Sequence, residues 1–467
     1  MFSSHRRCGR TALAALALVT AAIAGLVVPA RPVAATPGTS FVLVADPQER
    51  KVFSYRVPGM QLADTLHDVG LGVAGTGANT GLGSATHSGT IALTGGRVIG
   101  TDDTRQEVIE IRVAATGRLS VPRRTSARLP TNGAWAAVDP LYRYFAVSSG
   151  SGVDESTGLV NIVDLATFRN HVVELPLDLD EEVHVYLGGV PVKLFASVGG
   201  RILAFPLSRL LEGDLTPSSE SPLNPGSHGP FVSPATGKLG LTTTAGLDVV
   251  DLTCVRALPG VVVPRLACPH LELGRRTTIP WNVDGLSGSQ NFRPRLMSDG
   301  QTVVGALGVA PPTATQWAET RQDVHVADLT SGTARRFTLG RGIAPRFASG
   351  AGLAAFVTVH PSGDRLHLLD TRRSSPTYLR LAGNAALAPM ANGPVAGQPT
   401  AGRERRFVAM TPDGRYAFAS HGGDGRFSVV DTRSMSVRTV AVPTALRGGG
   451  YLVGIDLAAM PSDLMAR

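Results

Sequence analysis

Residues Thr411–Val442, TPDGRYAFASHGGDGRFSVVDTRSMSVRTVAV, decide the architecture. Met410-Thr411-Pro412-Asp413-Gly414 has the proline, aspartate and glycine of a tight turn, and Arg415–Ser420 (RYAFAS) reads as a strand. His421-Gly422-Gly423-Asp424-Gly425 turns the chain again, and Arg426–Asp431 (RFSVVD) alternates as the next strand. Thr432–Ser436 is a third turn, and Val437–Val442 (VRTVAV) is a last strand. The unit is an antiparallel meander, with an inner strand expected before its first turn.

The third strand of this unit recurs along the chain. Copies stand at Lys51–Val57, Glu107–Val113, Leu159–Leu165, Arg201–Leu207, Leu247–Leu252, Asp323–Leu329, Arg365–Asp370 and Arg426–Asp431. Five of them contain an apolar pair followed by aspartate: Asp164, Asp251, Asp328, Asp370 and Asp431. An aspartate there accepts hydrogen bonds from backbone N–H groups of the next turn, so its recurrence reads as a turn cap rather than catalysis. Copies at this spacing, with no helical periodicity beyond a short turn within 203–212, predict an all-β fold. It is a single β-propeller of four-stranded antiparallel blades. Eight blades is the preferred count. Seven is the alternative, because the interval around the two later cysteines is irregular. Blade one, from Phe41, lacks an inner strand, and Tyr451–Ile455 (YLVGI) after Gly448-Gly449-Gly450 is placed to complete it. Such a clasp leaves no open edge.

The stretch 410–443 resembles the repeat of the bacterial YVTN-type β-propellers: Pro-Asp-Gly, a strand, a turn, a valine-rich strand ending in Asp-Thr, and a last strand. The likeness is recognisable at 138–175 and loose elsewhere. It implies a fold and leaves function open, since that family includes surface proteins, binding modules and relatives of enzyme subunits.

The first 35 residues read as an export signal. Arg6, Arg7 and Arg10 precede an apolar run over Thr11–Val28, and Val33-Ala34-Ala35 is a small-residue cleavage site. An uncleaved membrane anchor is the alternative reading, and Arg6-Arg7 leaves the twin-arginine route open beside the general one. No other stretch is long and apolar enough to span a bilayer. The expected domains are therefore a leader, 1–35, and a propeller, 36–467, secreted or held in a bacterial envelope. The chain carries 44 basic and 36 acidic residues, and four of those arginines (Arg6, Arg7, Arg10, Arg31) leave with the leader. The remaining small excess is carried almost wholly by arginine, with three lysines in the whole chain, and no basic run has interleaved aromatics. Nucleic-acid binding is rejected on that ground. Cys254 and Cys268 are expected to form a disulfide in an oxidising compartment, with two buried thiols as the alternative.

Propellers bind at the mouth of the channel, on loops drawn from several blades. One rim collects the loops leading into each inner strand and those joining second to third strands. The residues there with chemistry to offer are His87, Asp102, Asp103, Asp154, Glu155, His228, Trp281, Trp317, His360, His421 and Asp424. Four histidines (His87, His228, His360, His421) are candidate zinc ligands if two or three converge with a carboxylate; solvated loop histidines are the plainer reading. Ser227-His228-Gly229 is similar to the periplasmic zinc-metallochaperone propellers, but their His-rich segment is absent. Asp102, Asp103, Trp281, Trp317 and Asp424 are candidate ligand-binding positions. Gly70, Gly72 and Gly75 match GxGxxG spacing, yet no helix signal follows, so a rim loop is expected there rather than a dinucleotide site. No GxSxG elbow, HExxH helix or paired-carboxylate motif occurs. The leading expectation is a monomeric, non-enzymatic binding module for a protein or small ligand at the rim, with no required cofactor. Zinc delivery is one alternative. An enzyme, either a lyase or a dehydrogenase partner subunit, is the other.

Overall fold

The computed structural model describes residues 40–457, apart from 72–89, 103, 130–133, 140–141, 150–157, 176–182, 190, 199, 227, 234, 255–270, 282–289, 309–318, 320, 361, 389–405 and 448–449. Residues 35–467 form one compact unit. It contains eight four-stranded antiparallel sheets, each one blade of an eight-bladed propeller.

Blade 1 holds β1 (Ser40–Asp46), β2 (Lys51–Arg56) and β3 (Gln61–His67). Blade 2 holds β4 (Ile91–Ala92), β5 (Arg97–Asp102), β6 (Glu107–Val113) and β7 (Leu119–Ser126). Blade 3 holds β8 (Ala134–Val138), β9 (Tyr144–Ser149), β10 (Gly158–Asp164) and β11 (Asn170–Leu175). Blade 4 holds β12 (His184–Gly188), β13 (Lys193–Val198), β14 (Arg201–Pro206) and β15 (Ser219–Pro222), with a short helix α1 (Leu207–Leu211) after its third strand. Blade 5 holds β16 (His228–Ser233), β17 (Lys238–Thr243), β18 (Gly246–Cys254) and β19 (Leu271–Ile279). Blade 6 holds β20 (Gln290–Leu296), β21 (Thr302–Gly308), β22 (Arg321–Asp328) and β23 (Thr333–Arg341). Blade 7 holds β24 (Ile343–Gly350), β25 (Leu353–Val359), β26 (Asp364–Asp370) and β27 (Arg380–Leu387). Blade 8 holds β28 (Val408–Met410), β29 (Tyr416–Ser420), β30 (Arg426–Asp431) and β31 (Val437–Ala441). The last strand, β32 (Tyr451–Asp456), pairs antiparallel with β1 from Ala45↔Tyr451 to Ser40↔Asp456 and becomes the inner strand of blade 1. The expected clasp is present, and each of the eight repeat copies is the third strand of its blade.

The apolar runs follow from the ring. A strand with a neighbouring blade on each side is buried on both faces, so its residues need not alternate. In β1, Phe41, Leu43 and Ala45 pack with Val98 and Ile109 of blade 2, while Val42 and Val44 pack with Phe418 and Phe427 of blade 8. Each blade-to-blade seam has its own apolar cluster of this kind. The outermost strands are the polar ones, with β7 alternating and β31 largely exposed.

Four of the five expected aspartate caps form, at Asp164, Asp328, Asp370 and Asp431, whereas β18 runs on past Asp251 to Cys254. Asp164 Oδ1 accepts from the N–H groups of Ala166 (2.8 Å) and Thr167 (2.9 Å). Asp328 does the same for Thr330 and Ser331, and Asp431 for Arg433 and Ser434. Burial raises each of these carboxyls. The amide donors, joined by arginines at Asp328 and Asp431, outweigh it and hold them below the usual range. Four residues after the end of the third strand, the N–H bonds back to that residue's carbonyl: Phe168 to Asp164 at 2.7 Å and Met435 to Asp431 at 2.8 Å. Phe168 and Met435 close these turns with left-handed backbone, φ 59° and 54°. Such a conformation costs roughly 1 kcal/mol or more away from glycine. Phe168 offsets it by burying its ring in the seam between blades 2 and 3, a gain of about 1.5–3 kcal/mol.

Gly454 sits where β32 passes β28. A Cβ there would lie 2.0 Å from the Met410 carbonyl oxygen, which is backbone and cannot swing aside. Gly454→Val is expected to destabilise the fold by at least ~2 kcal/mol through overpacking. Urea unfolding checks this, and an unchanged midpoint would contradict the close approach of the clasp.

Candidate functional site at the loop rim

Alternating strand directions put two loop sets on one face. Linkers leading into inner strands and loops joining second to third strands share it, and the other turns share the opposite face. Buried polar groups pin the roots of most rim linkers. Between blades 1 and 2, Gly70 N–H donates to Asp102 at 3.1 Å. Between blades 2 and 3, Arg128 N–H donates to Asn161 at 3.0 Å, and Asn161 Nδ2 returns a bond to Arg128 O at 2.7 Å. Between blades 4 and 5, Asn224 donates to Asp248 from its backbone (2.7 Å) and side chain (2.8 Å). Leu446 N–H, on the linker from blade 8 to blade 1, donates to the buried Asp46 at 3.2 Å.

Two of these roots, Asn161 and Asp248, belong to a repeat that the sequence reading passed over. Three residues before the end aspartate stand Asn161, Asp248, His325, His367 and Ser428, all buried. The pattern of a polar residue, two apolar ones and aspartate was the available signal. His367 Nε2 pairs with Thr358 Oγ1 at 2.9 Å, and Ser428 Oγ pairs with His421 Nε2 at 2.7 Å.

Asp102 is fully buried and takes both ends of the Arg50 guanidinium, at 3.0 and 2.8 Å. It also accepts from Arg105 N–H, and Arg50 continues to Asp68 at 3.2 Å. This carboxylate is committed to holding blades 1 and 2 together. Gly70 serves that contact, since a Cβ there would meet Asp102 Oδ1 at 2.9 Å. Trp281 is 4 % exposed and packs with Leu247 and Val303, its ring 5.9 Å from that of His325. It anchors the linker between blades 5 and 6 from inside the core and offers no face to solvent.

Of the candidate residues, His421 and Asp424 come together in blade 8, while His360 lies on the neighbouring loop of blade 7 with its side chain on Ser362. His421 is completely buried, with Nδ1 3.8 Å from Asp424 Oδ2, and Asp424 is itself held by Arg426 Nε at 2.7 Å. The residue that organises this corner is Arg406, fully buried just before β28 and absent from the sequence-based candidates. Its Nε donates to Asp364 Oδ2 at 2.7 Å, one Nη to Ser420 O at 3.0 Å and the other to Ala388 O. Asp364 also accepts from His360 N–H at 3.0 Å, so one ion pair links the loops of both blades. His360 Nδ1 accepts from Ser362 N–H at 3.0 Å, which places its ring proton on Nε2.

His87, Asp103, Asp154, Glu155, Trp317, Gly72, Gly75 and Cys268 lie outside the described residues, as do the side chains of His228 and Cys254. The backbone of His228 opens the inner strand of blade 5, on the rim. Among the described residues no three or more His, Cys, Asp or Glu side chains are grouped to hold a metal ion. No helix among them is long and apolar enough to cross a membrane.

Burial lowers His325, His367 and His421 to about 4, and Arg406 adds to the effect at His421. All three are neutral at pH 7. Unfolded histidines take up protons near 6.5, so protonation favours the unfolded chain. Stability is therefore complete above pH ~6.5 and falls as pH drops toward 4. Urea unfolding across that range should show the decline, and His367→Gln should flatten it. Arg406→Ala leaves Asp364 buried without its partner and is expected to cost ~3–5 kcal/mol by the same measurement.

No family model and no curated protein matches this chain. Solved structures do. Apo AztD from Citrobacter koseri is similar with a TM-score of 0.56 at 11% identity, covering 89% of this chain and 98% of that one. A second structure of Citrobacter koseri AztD gives 0.57 at 11%, covering 89% and 97%. The dihydro-heme d1 dehydrogenase NirN, in complex with DHE, gives 0.56 at 16%, covering 92% and 78%. At these identities the likeness shows the shared propeller fold.

Proposed function

We propose that this chain is an exported β-propeller, with residues 1–35 as its leader, that binds a ligand or protein partner through its rim loops. One observation carries the reading: the roots of most rim linkers are pinned, and the two longest spans between strands lie beyond such pins. Between β3 and β4 the chain runs from 68 to 90, and between β27 and β28 from 388 to 407. On the opposite face the turns from first to second strands are short throughout, as at 93–96, 234–237 and 351–352. A rigid scaffold that carries its longest loops on one face is an arrangement binding proteins use. The leader supports export, and no catalytic motif favours turnover.

The test replaces 389–405 or 309–318 with a short Gly-Ser linker and, as a control, 255–270 on the opposite face. Partners captured by the mature chain from its own envelope fraction are then compared. The reading predicts that rim replacements abolish capture and that the control retains it. Capture that survives both rim replacements contradicts it.

A zinc-binding role at the same rim is the second reading, supported by His228 opening an inner strand there. Calorimetric titration with zinc decides it. Micromolar or tighter binding, lost in His228→Ala with His87→Ala, supports it, and affinity no tighter than millimolar dismisses it.

A further inference from the structure

On the face opposite the rim, blade 2 turns three arginines onto one carboxylate. Glu110, in β6, is completely buried and stands opposite Ile99 of β5 and Arg123 of β7. Its Oε1 accepts from Nε of Arg97 at 3.0 Å and from Nε of Arg112. Its Oε2 accepts from Nε of Arg123 at 2.7 Å and from that residue's Nη2. Burial raises the Glu110 carboxyl, and the arginines outweigh it and hold it below its usual range, so it is ionised at neutral pH.

Arg123 is fully used. Its Nη1 donates to Ala166 O at 3.0 Å, and its guanidinium lies 4.7 Å from the centre of the Phe168 ring. Arg97 and Arg112 are not. They are direct cross-strand partners, so two like charges stand opposite each other in the ladder, which costs stability. Each gives only its Nε to Glu110. Arg97 Nη2 is buried without an acceptor, and Arg112 makes no other hydrogen bond among the described residues. Three guanidiniums on one carboxylate leave two positive charges uncompensated. Arg112 is the open side of the group, its side chain 48% exposed.

We propose that Arg97 and Arg112, backed by Arg123, bind a phosphomonoester-type dianion. Such a group carries close to two negative charges at pH 7 and presents several acceptor oxygens to guanidinium forks. A carboxylate would neutralise only half of the excess. The dianion can come from a free phosphorylated molecule or from a headgroup displayed on a surface.

The test uses the mature chain, wild type against Arg97→Gln and Arg112→Gln. Inorganic phosphate is titrated by calorimetry at constant ionic strength. Phosphatidylcholine vesicles with and without phosphatidic acid are assayed by co-sedimentation. Submillimolar phosphate binding, weakened at least tenfold in each variant, is the expected result. Vesicle binding that requires phosphatidic acid and is lost in both variants also supports the site and assigns its ligand to a surface. No binding of either probe by the wild type, or binding unchanged in both variants, overturns it. Stability without phosphate is a separate readout. Arg112→Gln removes one of two opposed charges and is expected to melt no lower than wild type. A marked drop would show that Arg112 is a structural strut and would overturn the proposal.

Discussion

The rest of the fold depends on the pairing of β32 with β1. Every blade is apolar on both faces and tolerates no missing neighbour. With the seam at blade 1 open, the clusters around Phe41 and Leu43 on one side and Val42 and Val44 on the other would lose Tyr451, Leu452, Val453 and Ile455. Ring closure by β32 also pairs the edge of β1 that would otherwise stand open, and gives blade 1 the same four strands as the others. The twofold periodicity of β1, which sends alternate residues to blades 2 and 8, has meaning only inside a closed ring.

Closure sets up the rim. The inner strands all begin on one face, and five of the eight linkers leading into them are tied at their roots by buried polar groups: Asp102, Asn161, Asp248, Asp46 and the Arg406–Asp364 pair. Burying these groups without partners would be costly, so each linker root has one favoured position. Length and chemistry can vary beyond the roots without disturbing the seams. On the opposite face the turns from first to second strands are short, and the turns after Asp164 and Asp431 are closed by aspartate caps and the left-handed residues Phe168 and Met435. Blade 2 differs again there, with Arg97 and Arg112 opposed across its ladder and both bound to the buried Glu110.

Much of the fold was legible in sequence because it repeats. The aspartates at 164, 328 and 431 cap the turns they were expected to cap. YLVGI, an apolar run with no blade of its own, completes blade 1. The eight third strands follow from local alternation and turn chemistry, which are properties of neighbouring residues. The site was less legible because its contacts join residues distant in sequence. Arg406 and Asp364 are far apart along the chain, and a lone arginine before an apolar strand does not name its acid. Asp102 looks like a loop carboxylate until Arg50 is seen against it. Trp281 looks like a rim aromatic, and only the seam between blades 5 and 6 shows that it faces inward. The polar position three residues before the end aspartate was visible, but Asn, Asp, His, His and Ser share no single chemistry. Only burial gives them a common role.

Amide hydrogen exchange on the full chain tests the central claim most directly. Protection should be even around the ring, with the N–H groups of Ser40–Asp46 exchanging as slowly as those of β13 or β25, and those of Tyr451–Asp456 as slowly as those of the inner strands β12 or β24. Fast exchange confined to those two segments, of the kind a frayed terminus shows, would mean that the chain ends do not close the ring.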